Sequence, residues 1–465
     1  MSRTVISVHP TEAEDEHIFF LDEAPATHSG AGTCKKLKLS GADKAFERLR
    51  LNPLQLGAVE SAGRAIYEAL KAHGAVGEAL KDALKADRAD PNNQERPIFL
   101  ELNSPNAENI PWETLWAEPV RFLALDDDKR WPLGRLTTTT VPIREIRRNA
   151  EPRLKITAIL AAAGVDPVEE WNSLFDSLDP LGNNVHLQVL VSRDELRDLV
   201  NQKIQQAPDK ISVAFVGDRR NLLLKIVGFG PNVVHFFCHG NATDRPHLEI
   251  ENRTDYIRSR TTGSVLLEVA ELKELARLDT LWLVTLNCCR GASPSASIQS
   301  LASSLVREGL PAVVGMREAV DVADANLFTR SFYEALLGQL MPILAQHAAG
   351  AKSILVPQTI WAAALHAPRE QLVHQQLGGR LHVEAAASTL AWTLPVLYAH
   401  QAKLLLSSLG NERVLDESKR VELRTYLSLF KVQRTLAEVQ QTPPEQLVLL
   451  DNKIRDVEAQ LYEPI

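Results

Sequence analysis

From Leu154 the chain alternates between short, almost unbroken apolar runs and longer segments with a helical period. "LKITAILAAAG", "VHLQVLV", "NVVHFFCHG", "LWLVTLNCC" and "LPAVVGM" read as strands. Near-continuous apolar character, in place of strict alternation, is what a parallel sheet covered on both faces requires. "DPVEEWNSLFDSL" reads as a helix, with Asp166 as N-cap, Pro167 at the first helical position and Glu169 completing a capping box. "SRDELRDLVNQKI" is a second helix, and segments at about 267–277, 297–308 and 324–338 supply further crossovers. The pattern predicts an α/β domain with a mostly parallel sheet flanked by helices.

Upstream the pattern is different. Residues 1–40 are acidic and irregular, turning basic at "CKKLKL". From Ala42 to Asp87 the chain is rich in Ala, Leu, Glu and Lys with a helical period; "RADPNNQERP" is a loop and "PIFLELNS" a strand. "RFLAL" is strand-like and is followed by an acidic turn at Asp126, Asp127 and Asp128. At the other end, Leu447, Leu450, Ile454, Val457 and Leu461 recur at alternating intervals of three and four after a cap at Thr442 and Glu445. That spacing is a coiled-coil seam. Leu423, Leu427 and Phe430 share one face of an earlier helix, and "QQTPP" is the turn between the two, giving a helical hairpin. The expected organisation is an irregular segment (1–40), an N-terminal α/β portion (41–150), a main α/β domain (151–400) and a C-terminal hairpin (401–465).

Composition narrows the function classes. Of 465 residues, 45% are hydrophobic and 24% charged, as in ordinary globular proteins. The net charge is -8, and basic residues are scattered apart from Arg144, Arg147 and Arg148, so no nucleic-acid footprint is expected. The N-terminal stretch lacks the features of a signal peptide, and no apolar run approaches the roughly 18 residues of a membrane span. The expectation is a soluble, cytoplasmic protein. Three of the four cysteines, Cys238, Cys288 and Cys289, lie at the ends of two apolar runs, which is no disulfide framework.

Those two runs carry the chemistry. One finishes on His239 and Gly240, the other on Cys288, Cys289, Arg290 and Gly291, and functional groups gather beyond the carboxyl ends of such strands. Cys289 is a candidate nucleophile and His239 its proton carrier; the amides of Gly240 and Cys289 are candidates for an oxyanion hole. The separation of 50 positions, 239 to 289, matches the histidine-to-cysteine spacing of caspases. His235 reads as a satisfied core histidine, and Cys238 and Cys288 as small buried hydrophobes. Asp166, beyond the first strand of the domain, either caps its helix or lines a pocket for Arg or Lys; Asp244 and Glu249 are further acidic candidates. Dispersed histidines, the lack of a metal-spaced cysteine pair and the lack of a Gly-rich phosphate loop give no expectation of a metal or organic cofactor.

Taken in order, five motifs resemble the CHAT family of caspase-like cysteine peptidases, relatives of caspases and separases. They are "PIFLELNSPNAENIPWETLW" with Pro111, Trp112 and Glu113, "HFFCHG", "LNCCRGA", "PAVVGMREAVDVADANLFTRSFYEALLGQL", and "WTLPVLYAH" with Trp392, Pro395 and Tyr398. The resemblance implies a caspase-like fold, a non-catalytic N-terminal portion packed beside the catalytic half, and His239 and Cys289 as the dyad. Two departures are Cys288, where a small residue is usual, and the missing arginine in "QHAAGAKSI". Asn287 stands where caspases carry a substrate-binding glutamine, and a basic P1 residue is expected from Asp166.

The resemblance further implies a protein substrate and an effector role in bacterial antiviral defence or cell death, switched on by a sensor. "NATDRPHLEIENRTDYIRSRTTGS" and "GASPSAS" are long polar loops flanking the motifs, of a kind ordered by a partner or by cleavage. The hairpin is a candidate dock for that regulatory partner. The rival reading is a catalytically idle adaptor that uses the same fold to assemble a signalling complex.

Overall fold

The computed structural model describes residues 3–12, 16–24, 33–38, 57–84, 95–103, 105–126, 131–137, 145–206, 209–241, 246–288, 296–318, 320–351, 353–377 and 386–408, with single positions between 427 and 457. The chain opens with strands β1 (Thr4–Pro10), β2 (Glu16–Glu23) and β3 (Cys34–Lys38). Helices α1 (Ala58–Lys71) and α2 (Gly74–Leu84) follow, then β4 (Ile98–Leu102), β5 (Leu133–Thr137) and β6 (Glu145–Ala150). The next stretch runs β7 (Leu154–Leu160), α3 (Val168–Leu178), β8 (Val185–Val191), α4 (Asp194–Gln206), β9 (Ile211–Phe215) and α5 (Arg219–Phe229). Then come β10 (Val233–Asn241), β11 (His247–Ile250), β12 (Val265–Glu268), α6 (Val269–Ala276), β13 (Leu283–Cys288) and α7 (Ala296–Arg307). The remainder is β14 (Ala312–Met316), α8 (Val322–Ala348), β15 (Ser353–Val356), α9 (His366–Leu377), β16 (Pro395–His400) and β17 (Lys403–Ser408).

One sheet runs through both halves, in the order β9-β8-β7-β10-β13-β14-β16-β5-β4-β1-β2-β3, with β11 on β10 and β12 on β11. From β9 to β14 every pairing is parallel, as the unbroken apolar runs predict. β16 is antiparallel to β14 and parallel to β5, so the seam between the halves is itself a strand pairing, with Tyr398 opposite Arg135. A smaller sheet of β15, β17 and β6 lies apart from it.

Alternation sorts the strand side chains onto two faces. Val233, Phe237 and Leu283 pack with Trp171 and Leu174 of α3 and with Phe328, Phe332 and Tyr333 of α8. Val234, Phe236, Cys238, Leu286 and Cys288 face the other way, against α5, α6 and α7. Cys238 and Cys288 are the buried small residues that the sequence predicts. The N-terminal half has a third core, built on Ile6, Phe19, Ile66 and Trp112 and closed by Trp392. Gly63 is obligatory there, because a Cβ would sit 1.9 Å from the Thr114 carbonyl oxygen.

Three sequence expectations need correction. The first 40 residues are not wholly irregular: β1, β2 and β3 lie there, because "TVISVHP" buries both rows of side chains from Thr4 to Val8 and "EHIFFLDE" buries one row despite its charges. "RFLAL" keeps only a two-residue strand, Arg121–Phe122, before a 3-10 turn over Leu123–Leu125. The last domain does not open on the hairpin, since β17 occupies residues 403–408 and pairs with β6 and β15. Most of the expected hairpin lies outside the described residues. Its described seam positions Leu427 and Val457 are buried, with Phe430 and Ile454 packed against them, and Arg434 pairs with Asp451.

Candidate active site

Strand order reverses between β7 and β10: β8 and β9 continue outward from β7, whereas β13 and β14 continue outward from β10. The carboxyl ends at such a switch point leave a crevice, because the loops on either side turn away from each other. His239 sits at that place on β10, half-buried, and its Nε2 lies 2.7 Å from the Ala163 carbonyl oxygen in the loop after β7. A carbonyl oxygen only accepts, so Nε2 carries the hydrogen and donates it.

Gly240 follows on the same strand, buried and in register with Leu248 of β11. Cys288 ends β13 and is in register with Cys238, the residue before His239. Cys289 is the next residue in the chain; it lies outside the described residues, as does Asp244. Asp166 is exposed, and its Oδ1 accepts the Val168 N–H at 3.1 Å as an Asx-type bond; the expected N-cap needs correction, because Pro167 and not Asp166 stands at the N-cap of α3, with no side-chain cap bond. Glu249 is opposite His239 across β10 and β11, and its Oε1 accepts the Gly263 N–H at 2.8 Å.

Beneath the rim, on the α3 and α8 face, lies a polar cluster with no exposure to solvent. Glu170 in the first turn of α3 directs Oε1 at three donors: His235 Nε2 at 2.8 Å, Asn287 Nδ2 at 2.9 Å and Thr329 Oγ1 at 2.6 Å. Asn287 Nδ2 also reaches the Ala325 carbonyl oxygen at 3.0 Å. The Tyr333 ring meets His235 edge to face, 5.6 Å between centroids. His235 is thus buried and hydrogen-bonded, as the sequence predicts, and Asn287 is fully buried with its amide engaged by helices. Sequence reasoning missed Glu170, although a signal was present: it falls on the apolar stripe with Trp171, Leu174 and Leu178, where a carboxylate needs partners. Ala163 was illegible, because a main-chain carbonyl leaves no mark on residue type.

A second buried carboxylate marks the N-terminal half. Glu113 of the Pro-Trp-Glu motif is gripped bidentately by Arg135, Nε to Oε1 at 3.0 Å and Nη2 to Oε2 at 2.8 Å. Arg135 also donates to the carbonyls of Glu108 and Ile110 and to Tyr398 Oη across the seam. Burial pushes the Glu113 carboxyl up, but the guanidinium of Arg135 outweighs it and holds Glu113 below the ordinary carboxylate range. Among the described residues no group of His, Cys, Asp or Glu side chains is placed to hold a metal ion, and no helix is long and apolar enough to cross a membrane.

The CHAT domain model matches residues 60–398. This chain belongs to the CHAT domain family. The match spans α1 to β16, so His239, Glu170 and the Glu113–Arg135 pair all fall within the CHAT domain. Two crystal structures of the Saccharomyces cerevisiae separase–securin complex are similar to it. One is 10% identical with a TM-score of 0.41, covering 87% of this chain and 30% of that chain. The other is 15% identical with a TM-score of 0.31, covering 83% and 21%. The chain thus spans under a third of the length of those separase chains. The comparison with curated proteins finds no match.

Proposed function

We propose that this CHAT protein is a cysteine endopeptidase with Cys289 as nucleophile and His239 as its acid–base partner. What supports this reading is His239 at the strand-order reversal, at the carboxyl end of β10, with its Nε2–H donating to the Ala163 carbonyl oxygen. In the proposed cycle the Cys289 thiol passes its proton to His239 Nδ1 and the resulting thiolate bonds to the scissile carbonyl carbon, while the amides of Gly240 and Cys289 hold the oxyanion. His239 gives its Nδ1 proton to the departing amine. Water then hydrolyses the thioester, losing a proton to His239 and returning the thiolate.

A basic P1 residue is the reading for Asp166, whose carboxylate is exposed on the loop that also carries Ala163. Asn287 supports the nucleophile's strand from below in this reading, since its amide is fully buried. Gating by a protein partner at the C-terminal seam, and an effector role in bacterial antiviral defence or cell death, complete the proposal on family grounds.

A peptidyl electrophile with Arg at P1 tests it, applied to the protein alone and together with proteins encoded beside it. The expected outcome is a single adduct on Cys289, absent from Cys289→Ala and strongly slowed in His239→Ala. An adduct that persists in Cys289→Ala assigns the chemistry to another thiol. No adduct under any condition, with partner binding retained, returns the adaptor reading.

A further inference from the structure

Two attachments tie the segment from Ala163 to Glu170 onto one strand. At its start the Ala163 carbonyl oxygen accepts from His239 Nε2; at its end the Glu170 carboxylate accepts from His235 Nε2, two strand repeats earlier on β10. Gly164, with φ of 71°, provides the left-handed step that folds the segment back, and the Val165 N–H closes the turn on the Ala162 carbonyl oxygen at 3.2 Å. The same Glu170 oxygen gathers Asn287 of β13 and Thr329 of α8. His235 is in register with Thr285 and Asn287 lies one strand repeat further on, so this one acceptor bridges β10 and β13 four residues before position 239 and two before position 289.

From this geometry we infer that Glu170 is a positioning residue for the dyad: it holds the Ala163 carbonyl against His239 and Asn287 beneath the strand end that carries Cys289. The inference rests on the peptidase reading for its catalytic consequence. Glu170 touches no substrate in this scheme. It acts through His239, by keeping one tautomer and one ring orientation populated. Without its carboxylate the segment loses its hydrogen bond to His235, and the fraction of molecules with the His239 Nε2–H bond to Ala163 formed falls. That fraction multiplies turnover and leaves substrate binding alone.

The test uses the full chain, in the presence of its activating proteins where those are required. Glu170→Leu removes the acceptor at similar volume, and Glu170→Gln keeps one. The expected result for Glu170→Leu is a fall in kcat of about 10- to 100-fold with KM nearly unchanged. In its nitrogen NMR spectrum the His239 imidazole should shift from a single Nε2–H tautomer to a mixture. Glu170→Gln should restore both readouts most of the way. A folded Glu170→Leu protein with unchanged kcat and an unchanged His239 spectrum overturns the inference. Should Glu170→Leu not fold, Thr329→Val decides, because it removes one donor without changing shape: a small shift in the same two readouts supports the inference, and no shift overturns it. A wild type lacking Cys289-dependent turnover defeats the peptidase reading alone, since the imidazole spectrum still reports whether Glu170 orients His239.

Discussion

Glu113 and Glu170 are both carboxylates sealed from water, and they are held in opposite ways. Glu113 meets the fixed charge and rigid fork of Arg135, which donates two parallel hydrogen bonds and spends its remaining donors on carbonyls. Glu170 meets an imidazole, an amide and a hydroxyl, all converging on one oxygen. A guanidinium keeps its charge at any pH the protein survives, so the first cluster is a permanent joint where the N-terminal half reaches Tyr398. The second lies beneath the proposed chemistry and links separate elements around it, the first turn of α3, strands β10 and β13, and helix α8. The difference teaches where polar burial serves architecture alone and where it serves a site.

The largest effect should come from breaking the permanent joint. Glu113→Gln leaves the Arg135 charge buried without its counterpart, and chemical denaturation should show a loss of about 3–5 kcal/mol. Replacing both partners by apolar residues of similar size, as in Arg135→Met with Glu113→Leu, should recover much of that loss. No recovery would mean that the Arg135 bonds to the carbonyls of Glu108 and Ile110 matter more than its bond to Glu113.

An intermediate effect concerns acid. Burial, reinforced by Arg148, pushes the His400 imidazole at the end of β16 down to about 4. Its folded pKa is below its unfolded one, so the stability it contributes is full above the unfolded value near 6.5 and is lost as pH falls toward 4. The loss is about 3 kcal/mol at most. Glu113 is also depressed, so its contribution drains away only at lower pH, below the ordinary carboxylate range. Urea unfolding of wild type and His400→Gln across pH 7 to 4 should show a steep fall in the wild type and a shallower one in the variant; parallel curves would remove His400 from this account.

The smallest effect separates the two readings of Asp166. Asp166→Ala should cost about 1 kcal/mol or less through the lost hydrogen bond to the Val168 N–H. If it also lines the P1 pocket, cleavage after Arg should fall relative to cleavage after neutral residues. An unchanged P1 profile would leave only the local bond to Val168.

Much of this molecule was legible in its sequence for one reason: strands covered on both faces cannot hide. The five unbroken apolar runs from "LKITAIL" to "LPAVVGM" became five neighbouring strands, and His239 ends one of them. What misled were segments where charge dilutes a period of two. β1 and β2 carry two histidines and three acidic side chains, and their burial shows only once β4 is beside them. The capping signature of "DPVEE" drew attention to Asp166 and Glu169 and away from Glu170, one position on, which turns inward with Trp171. Sequence also assigns side chains and not main-chain atoms, so the Ala163 carbonyl that orients His239 had no signature at all.

The pairing of β16 with β5 means that neither half owns a complete sheet. Severing the protein at residue 150 would strip the larger fragment of its neighbour and leave a bare row of amides and carbonyls at the outer side of β16, an invitation to adhere to any extended chain. The first third of the polypeptide is thus best regarded as a built-in companion subunit, whose removal would substitute stickiness for release.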